Sequence, residues 1–113
     1  MLTIKDFGGT VIAAALAFPI AGYGRDHAVT SALYTAPMLA GGGIVDCVIV
    51  NVGREPRNVT TTYFDNAGHT VSSSGAQLIA PGVVGGASFG SQDGYCQWIV
   101  EGSTSDYRAA GRV

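Results

Sequence analysis

Two cysteines, Cys47 and Cys96, each sit in the middle of a short apolar run that reads as a β-strand. The runs are Gly43-Ile-Val-Asp-Cys-Val-Ile-Val-Asn-Val52 and Gly94-Tyr-Cys-Gln-Trp-Ile-Val100. Side chains alternate across a strand. Val45, Cys47 and Ile49 therefore share one face of the first run, and Cys96, Trp98 and Val100 share one face of the second. Tyr95, Gln97, Ile99 and Glu101 take the other, more solvated face. If both cysteine faces look inward, the thiols meet between two sheets and Trp98 anchors the core beside them. The competing reading is a pair of reduced core thiols, because a free buried cysteine packs as a small hydrophobe. A bond between positions 47 and 96 would stabilise the fold by roughly 4 kcal/mol on the chain-entropy account.

Length and composition narrow the class. A chain of 113 residues suits one domain. Only 12% of residues are charged and 17 are glycine. With many Val, Thr and Ser, that balance fits an exported all-β protein better than a helical cytosolic one. The net charge of -2, with basic residues scattered, supplies no footprint for nucleic acid or an anionic membrane.

The first 24 residues differ from the rest. Gly8 to Gly22 is an uncharged, Ala-rich stretch interrupted by Pro19. It is short for a bilayer span and suits the apolar core of a secretory signal. A short apolar helix packed on the domain or on a neighbouring subunit is the second reading, and a membrane anchor the third. The division expected is an apolar segment, 1–24, followed by a β domain, 25–113, whose first residues, 25–30, form a polar linker.

The β domain reads as seven or eight short strands with turn signals every eight to twelve residues, the pattern of an antiparallel β-sandwich. Val29–Thr35 is expected as an edge strand stopped by Pro37, and Ile44–Val52 as a central strand. Asn58–Asp65 leads into the hairpin signal Asp65-Asn-Ala-Gly68. His69–Ser73 and Ala76–Ala80 are expected as two strands broken at Ser74-Gly75. Val83–Phe89, Tyr95–Glu101 and Asp106–Val113 follow. Tyr63, Leu78 and Tyr107 are further expected core members.

Chemistry-bearing residues are sparse. His27 and His69 read as linker and turn histidines. Two cysteines in separate strands and two distant histidines do not make a metal site. Ser72-Ser-Ser74 and Ser103-Thr-Ser105 lack a nucleophile elbow. Asp65 and Asp93 read as turn residues bonding their own backbone. Asp46, among Val and Ile, is expected to pair with Arg108 or Arg112 of a neighbouring strand. Asn58-Val-Thr60 matches a glycosylation sequon, which makes Asn58 a candidate acceptor. Tyr23, Tyr34, Tyr63, Tyr95 and Tyr107 are candidate sugar-stacking residues, though packing is the commoner use of tyrosines at alternating strand positions.

Taken together, Ala32-Leu-Tyr-Thr-Ala-Pro37, Cys47-Val-Ile-Val-Asn-Val52, Asp65-Asn-Ala-Gly68, Leu78-Ile-Ala-Pro-Gly82, Tyr95-Cys96 and Tyr107-Arg-Ala-Ala110 resemble a loose group of small, uncharacterised exported bacterial proteins. Those look like immunoglobulin-like or fibronectin-like sandwiches. The resemblance covers about residues 29–113. It implies export, a disulfide and a non-catalytic domain, and it carries over no substrate or catalytic residue. The expectation is therefore an immunoglobulin-like sandwich, secreted or held in the cell envelope, acting as a structural or binding module. No enzymatic activity, cofactor or metal is expected, and membrane contact only during export. Self-association through the apolar segment 9–23, as a filament or oligomer subunit, is one alternative. A small carbohydrate-binding module is the other.

Overall fold

The computed structural model describes residues 30–113 with their side chains, together with the backbone of residues 11–14 and 16–20. Among the described residues nine strands follow in order: β1 (Val11–Ala14), β2 (Leu16–Ile20), β3 (Thr30–Tyr34), β4 (Val45–Asn51), β5 (Arg57–Asp65), β6 (Thr70–Ile79), β7 (Val84–Phe89), β8 (Gly94–Glu101) and β9 (Tyr107–Arg112). They form two antiparallel sheets. The four-stranded sheet runs β1-β9-β4-β7 and the five-stranded sheet β2-β3-β8-β5-β6. The protein is an all-β sandwich.

The core follows from period-2 alternation. Along β4 the buried positions are Val45, Cys47, Ile49 and Asn51; along β8 they are Gly94, Cys96, Trp98 and Val100. Cys47 and Cys96 are bonded, with their α-carbons 5.9 Å apart. The bond joins two strands that each lie inside their sheet, so it pins the sheets at the centre rather than at a rim. Trp98, fully buried, stands in register with Leu33 on one side and Thr61 on the other. Tyr63 and Tyr107 are also fully buried. Tyr63 stacks on Phe89 at 5.4 Å between ring centroids and donates its hydroxyl to the carbonyl of Gln92 at 2.6 Å. Tyr107 donates to the carbonyl of Glu101. Both phenol rings are thus apolar in their bodies and satisfied at their tips. The indole N–H of Trp98 and the hydroxyl of Thr61 have no hydrogen-bond partner among the described residues.

Several expectations change. Ser74-Gly75 does not break the chain into two strands. β6 runs unbroken from Thr70 to Ile79, and the register steps from Thr60↔Ala76 to Thr62↔Ser73. Gly75, at φ 73°, supplies the left-handed residue of a bulge there. Leu78 is 68% exposed and Ile79 is 3%. Neighbours on a strand cannot both face inward, and Ile79 occupies the inner face. β3 is not an edge strand, because Leu16–Ile20 pairs along it from Leu16↔Tyr34 to Ile20↔Thr30. Within the apolar segment the described parts are extended, where a helix was one alternative. β1 pairs with β9 and β2 with β3. Pro19 lies in β2, an edge strand of its sheet, where a missing N–H is tolerated. Residues 1–10, 15 and 21–29 lie outside the described residues, and with them most of the expected linker, Tyr23 and His27.

Counting from Thr30, the sandwich has seven strands, and the disulfide joins the second to the sixth. The second also pairs with the fifth and the sixth with the third, as in the constant-type immunoglobulin order. The terminal strands are exchanged relative to that order. The first lies beside the sixth and the last beside the second, while the fourth lies beside the third.

Asn51 organises one end of the sandwich. Fully buried, it donates both amide hydrogens, to the carbonyls of Glu55 at 2.8 Å and Ile79 at 2.9 Å, and accepts from the Gly53 N–H at 2.9 Å. Its own carbonyl accepts from Gly82 at 2.6 Å. One side chain therefore holds the β4–β5 and β6–β7 connections together. Replacing Asn51 with Ala removes the side-chain partner of the Glu55 and Ile79 carbonyls and of the Gly53 N–H, the Ile79 bond being fully buried, and a loss of about 2–4 kcal/mol is expected in urea unfolding. Reducing the disulfide, or replacing Cys47 and Cys96 together by Ala, is expected to lower stability by roughly 4 kcal/mol. A midpoint that does not move would mean that the bond adds nothing to the packing around it.

Candidate functional site

Two outer faces carry the residues singled out by sequence. On the five-stranded sheet, odd positions of β8 point outward, and Tyr95 and Gln97 are each half-buried there. Register brings Tyr95 opposite Phe64 of β5 and Gln97 opposite Tyr34 of β3. Phe64 and Tyr95 stack at 5.2 Å with an interplanar angle of 18°, and Tyr34 leans on Tyr95 at 6.4 Å and 48°. Gln97 donates from Nε2 to the Tyr34 hydroxyl at 2.9 Å. Three strands thus contribute one row of rings, with a polar amide at its side. Sequence reasoning had Tyr34 and Tyr95 as candidates but missed Phe64 and Gln97. Only the pairing of β3, β8 and β5 places those four side by side. Of the other tyrosines considered for a sugar platform, Tyr63 and Tyr107 are core residues.

On the four-stranded sheet, Asp46 is opposite Arg112 on β9 and Ser88 on β7. Its Oδ2 faces Arg112 Nε at 3.4 Å, and its Oδ1 accepts from the Ser88 hydroxyl at 2.5 Å. Arg112, rather than Arg108, is therefore the partner. Both carboxylate oxygens are engaged, so Asp46 acts as a cross-strand tie. Beside it lies an open groove of about 370 Å³, lined by Asp46, Arg112, Ser88, Val48, Val84 and Gln77. Gly85 and Gly86 also line it. Gly86 has φ 120°, and a Cβ there would lie 2.0 Å from the Cys47 carbonyl oxygen. Gln77 closes over Gly86, accepting from its N–H at 3.1 Å and donating to its carbonyl at 3.3 Å.

The remaining candidates do not converge. His69 sits exposed after the turn, with Nδ1 3.4 Å from Asp65 Oδ2. Asp65 caps that turn by accepting from the N–H groups of His69 at 2.8 Å and Ala67 at 3.0 Å. The His69 N–H does most to hold its carboxyl below the usual range. Asp93 was expected to bond its own backbone, and its carboxylate bonds elsewhere. Its Oδ1 accepts from the Ala40 N–H at 2.7 Å and ties two connections together. Ser73 bonds Thr62, Ser74 bonds the Gly75 carbonyl, and Ser103 caps the short turn Thr104–Asp106. Asn58 is exposed on β5, its backbone N–H donating to Glu101 Oε1 at 2.7 Å. Among the described residues no three of His, Cys, Asp and Glu are grouped to hold a metal ion.

Burial pushes the Tyr107 phenol up to about 12 and also raises that of Tyr63, which the Asp93 charge raises further. The folded state therefore favours neutral Tyr107. Its contribution is complete below the ordinary tyrosine value near 10 and is lost as pH rises from there to about 12. Tyr107→Phe is expected to cost about 1 kcal/mol at neutral pH through the lost bond to Glu101. It should also flatten the stability loss between pH 10 and 12 in an alkaline circular-dichroism titration. An unchanged profile would assign that loss to another group.

Compared with known proteins, the chain matches no family model, and no curated protein or solved structure matches it at a significant level.

Proposed function

We propose that this chain is a non-catalytic module of the secreted or cell-envelope space that binds another protein through the outer face of its five-stranded sheet. The observation carrying this reading is the Tyr34–Tyr95–Phe64 row with Gln97 beside it. The core cluster takes its rings from Trp98, Tyr63, Tyr107 and Phe89, and this second set lies outside it. Half-buried aromatics with a polar handle are the residues that anchor protein interfaces. The disulfide supports an oxidising compartment. Its position between the second and sixth strands, with the shared central pairings, supports an immunoglobulin-like relationship.

A carbohydrate ligand is the weaker reading. Sugar stacking uses the open face of a ring, and here Tyr95 has Phe64 on one side and Tyr34 on the other.

The test compares the full chain with Tyr95→Ala and Tyr34→Ala on a glycan array and against the extracellular protein fraction of the source cells. Tyr95→Ala is expected to weaken protein binding tenfold or more while unfolding only slightly earlier. A glycan signal lost in both variants would establish the carbohydrate reading instead. Binding indifferent to both substitutions would exclude this face. Intact mass of the exported protein under non-reducing conditions, with alkylation, checks the compartment: two protected thiols are expected, and two free thiols would remove the argument for export.

A further inference from the structure

We propose that the outer edge of β7 is a second binding site, which takes an extended, uncharged segment of a partner protein as an added strand. β7 is the last strand of the four-stranded sheet, so its far side faces no strand of that sheet among the described residues. A strand edge of this kind is a template for another chain unless something covers it. Here the cover is one side chain. Gln77, on β6, accepts from the Gly86 N–H at 3.1 Å and donates from Nε2 to the Gly86 carbonyl at 3.3 Å. A side-chain amide carries the same N–H donor and carbonyl acceptor as a peptide group. It therefore makes with Gly86 the two-bond exchange that a residue of an antiparallel neighbour would make. The molecule itself thus shows the chemistry that this edge accepts, which is that of a peptide group. Both bonds are longer than the common value of about 2.9–3.0 Å, so a strand that makes shorter ones can displace the side chain.

The groove beside this edge defines the segment that fits. It holds about 370 Å³ and is lined by Asp46, Arg112, Ser88, Val48 and Val84, and it reaches the edge at Gln77. Asp46 faces Arg112 at 3.4 Å and accepts from Ser88 with its other oxygen. The two charges offset one another, so the lining matches a neutral side chain. A charged one would have to compete with the existing pair while losing its own hydration. Val84 is 57% exposed and offers apolar surface to an aliphatic side chain. Gly86, opposite Val48, adds no side chain. Bare main chain within a strand is a place where another backbone can come close. The side chains of an added strand alternate, so one set lies toward the groove and the other toward β6.

The test is an NMR titration of the isotope-labelled full-length protein with a capped peptide of alternating Val and Thr. Two further probes are the same peptide N-methylated at every residue, which cannot donate to the edge, and a copy with Lys in place of Val. The neutral, unmethylated peptide is expected to shift the backbone amides of Val84, Gly86 and Ser88 and the side-chain amide of Gln77. The other two probes should bind at least tenfold more weakly. Gln77→Ala removes the cover and is expected to tighten binding of the neutral peptide about fivefold. Val84→Lys, at an exposed position, is expected to weaken it about fivefold without changing the unfolding midpoint. Equal binding by the methylated peptide would overturn strand addition. Shifts confined to other surfaces, or an affinity that neither substitution moves, would overturn the site. A Gln77→Ala protein that dimerises without peptide and shows the same shifts would assign the edge to a second copy, against the proposal. Tyr34 and Tyr95 belong to the other sheet, so the outcome is separate from that of the aromatic row.

Discussion

The contact between β4 and β8 across the sandwich is the constraint on which the rest depends. Each is an interior strand of its sheet, and each has alternate residues fully buried. Cys47 and Cys96 meet where these faces meet, and Trp98 lies two residues on from Cys96. The bond shrinks the unfolded ensemble by closing a loop of 49 residues. Burial of Val45, Ile49, Trp98 and Val100 contributes about 1.5–3 kcal/mol for each side chain. A chain this small, with few charges to pair, has little else to hold two sheets in register.

Once the central strands are fixed, polar side chains settle the periphery. Asn51 gathers the connections at one end, and Asp93 joins Ala40 to the β7–β8 connection at the other. Asp46 ties three strands on the outer face of the smaller sheet. The orphan hydroxyl of Thr61 beside the orphan indole of Trp98 is the exception among the described residues.

The fold was more legible than the site. Strand-length runs, the Asp65–Gly68 turn and the inward faces of β4 and β8 were readable because each is a local matter of period and turn chemistry. The continuous β6 was not, since a glycine in a bulge and a glycine in a break look alike until the partner strand is known. Leu78 and Ile79 illustrate the same limit. Two adjacent apolar residues compete for one inward face, and the register with β5 decides between them. The aromatic row was half readable: its tyrosines stood out by type, while Phe64 and Gln97 became relevant only through pairing.

The sequence by itself determined the class of fold, the pairing of the two cysteines as the favoured staple, and the scarcity of catalytic groups. Those follow from composition, alternation and spacing, which act over a few residues. Tertiary structure alone decided which strands are neighbours: β9 beside β4, β3 beside β8, β1 beside β9 and β2 beside β3. Strand order depends on how distant edges find partners, and hydrogen bonds between backbones carry almost no sequence signature. For that reason the disulfide could be anticipated from the residues around it, while the row of rings on the outer face could not.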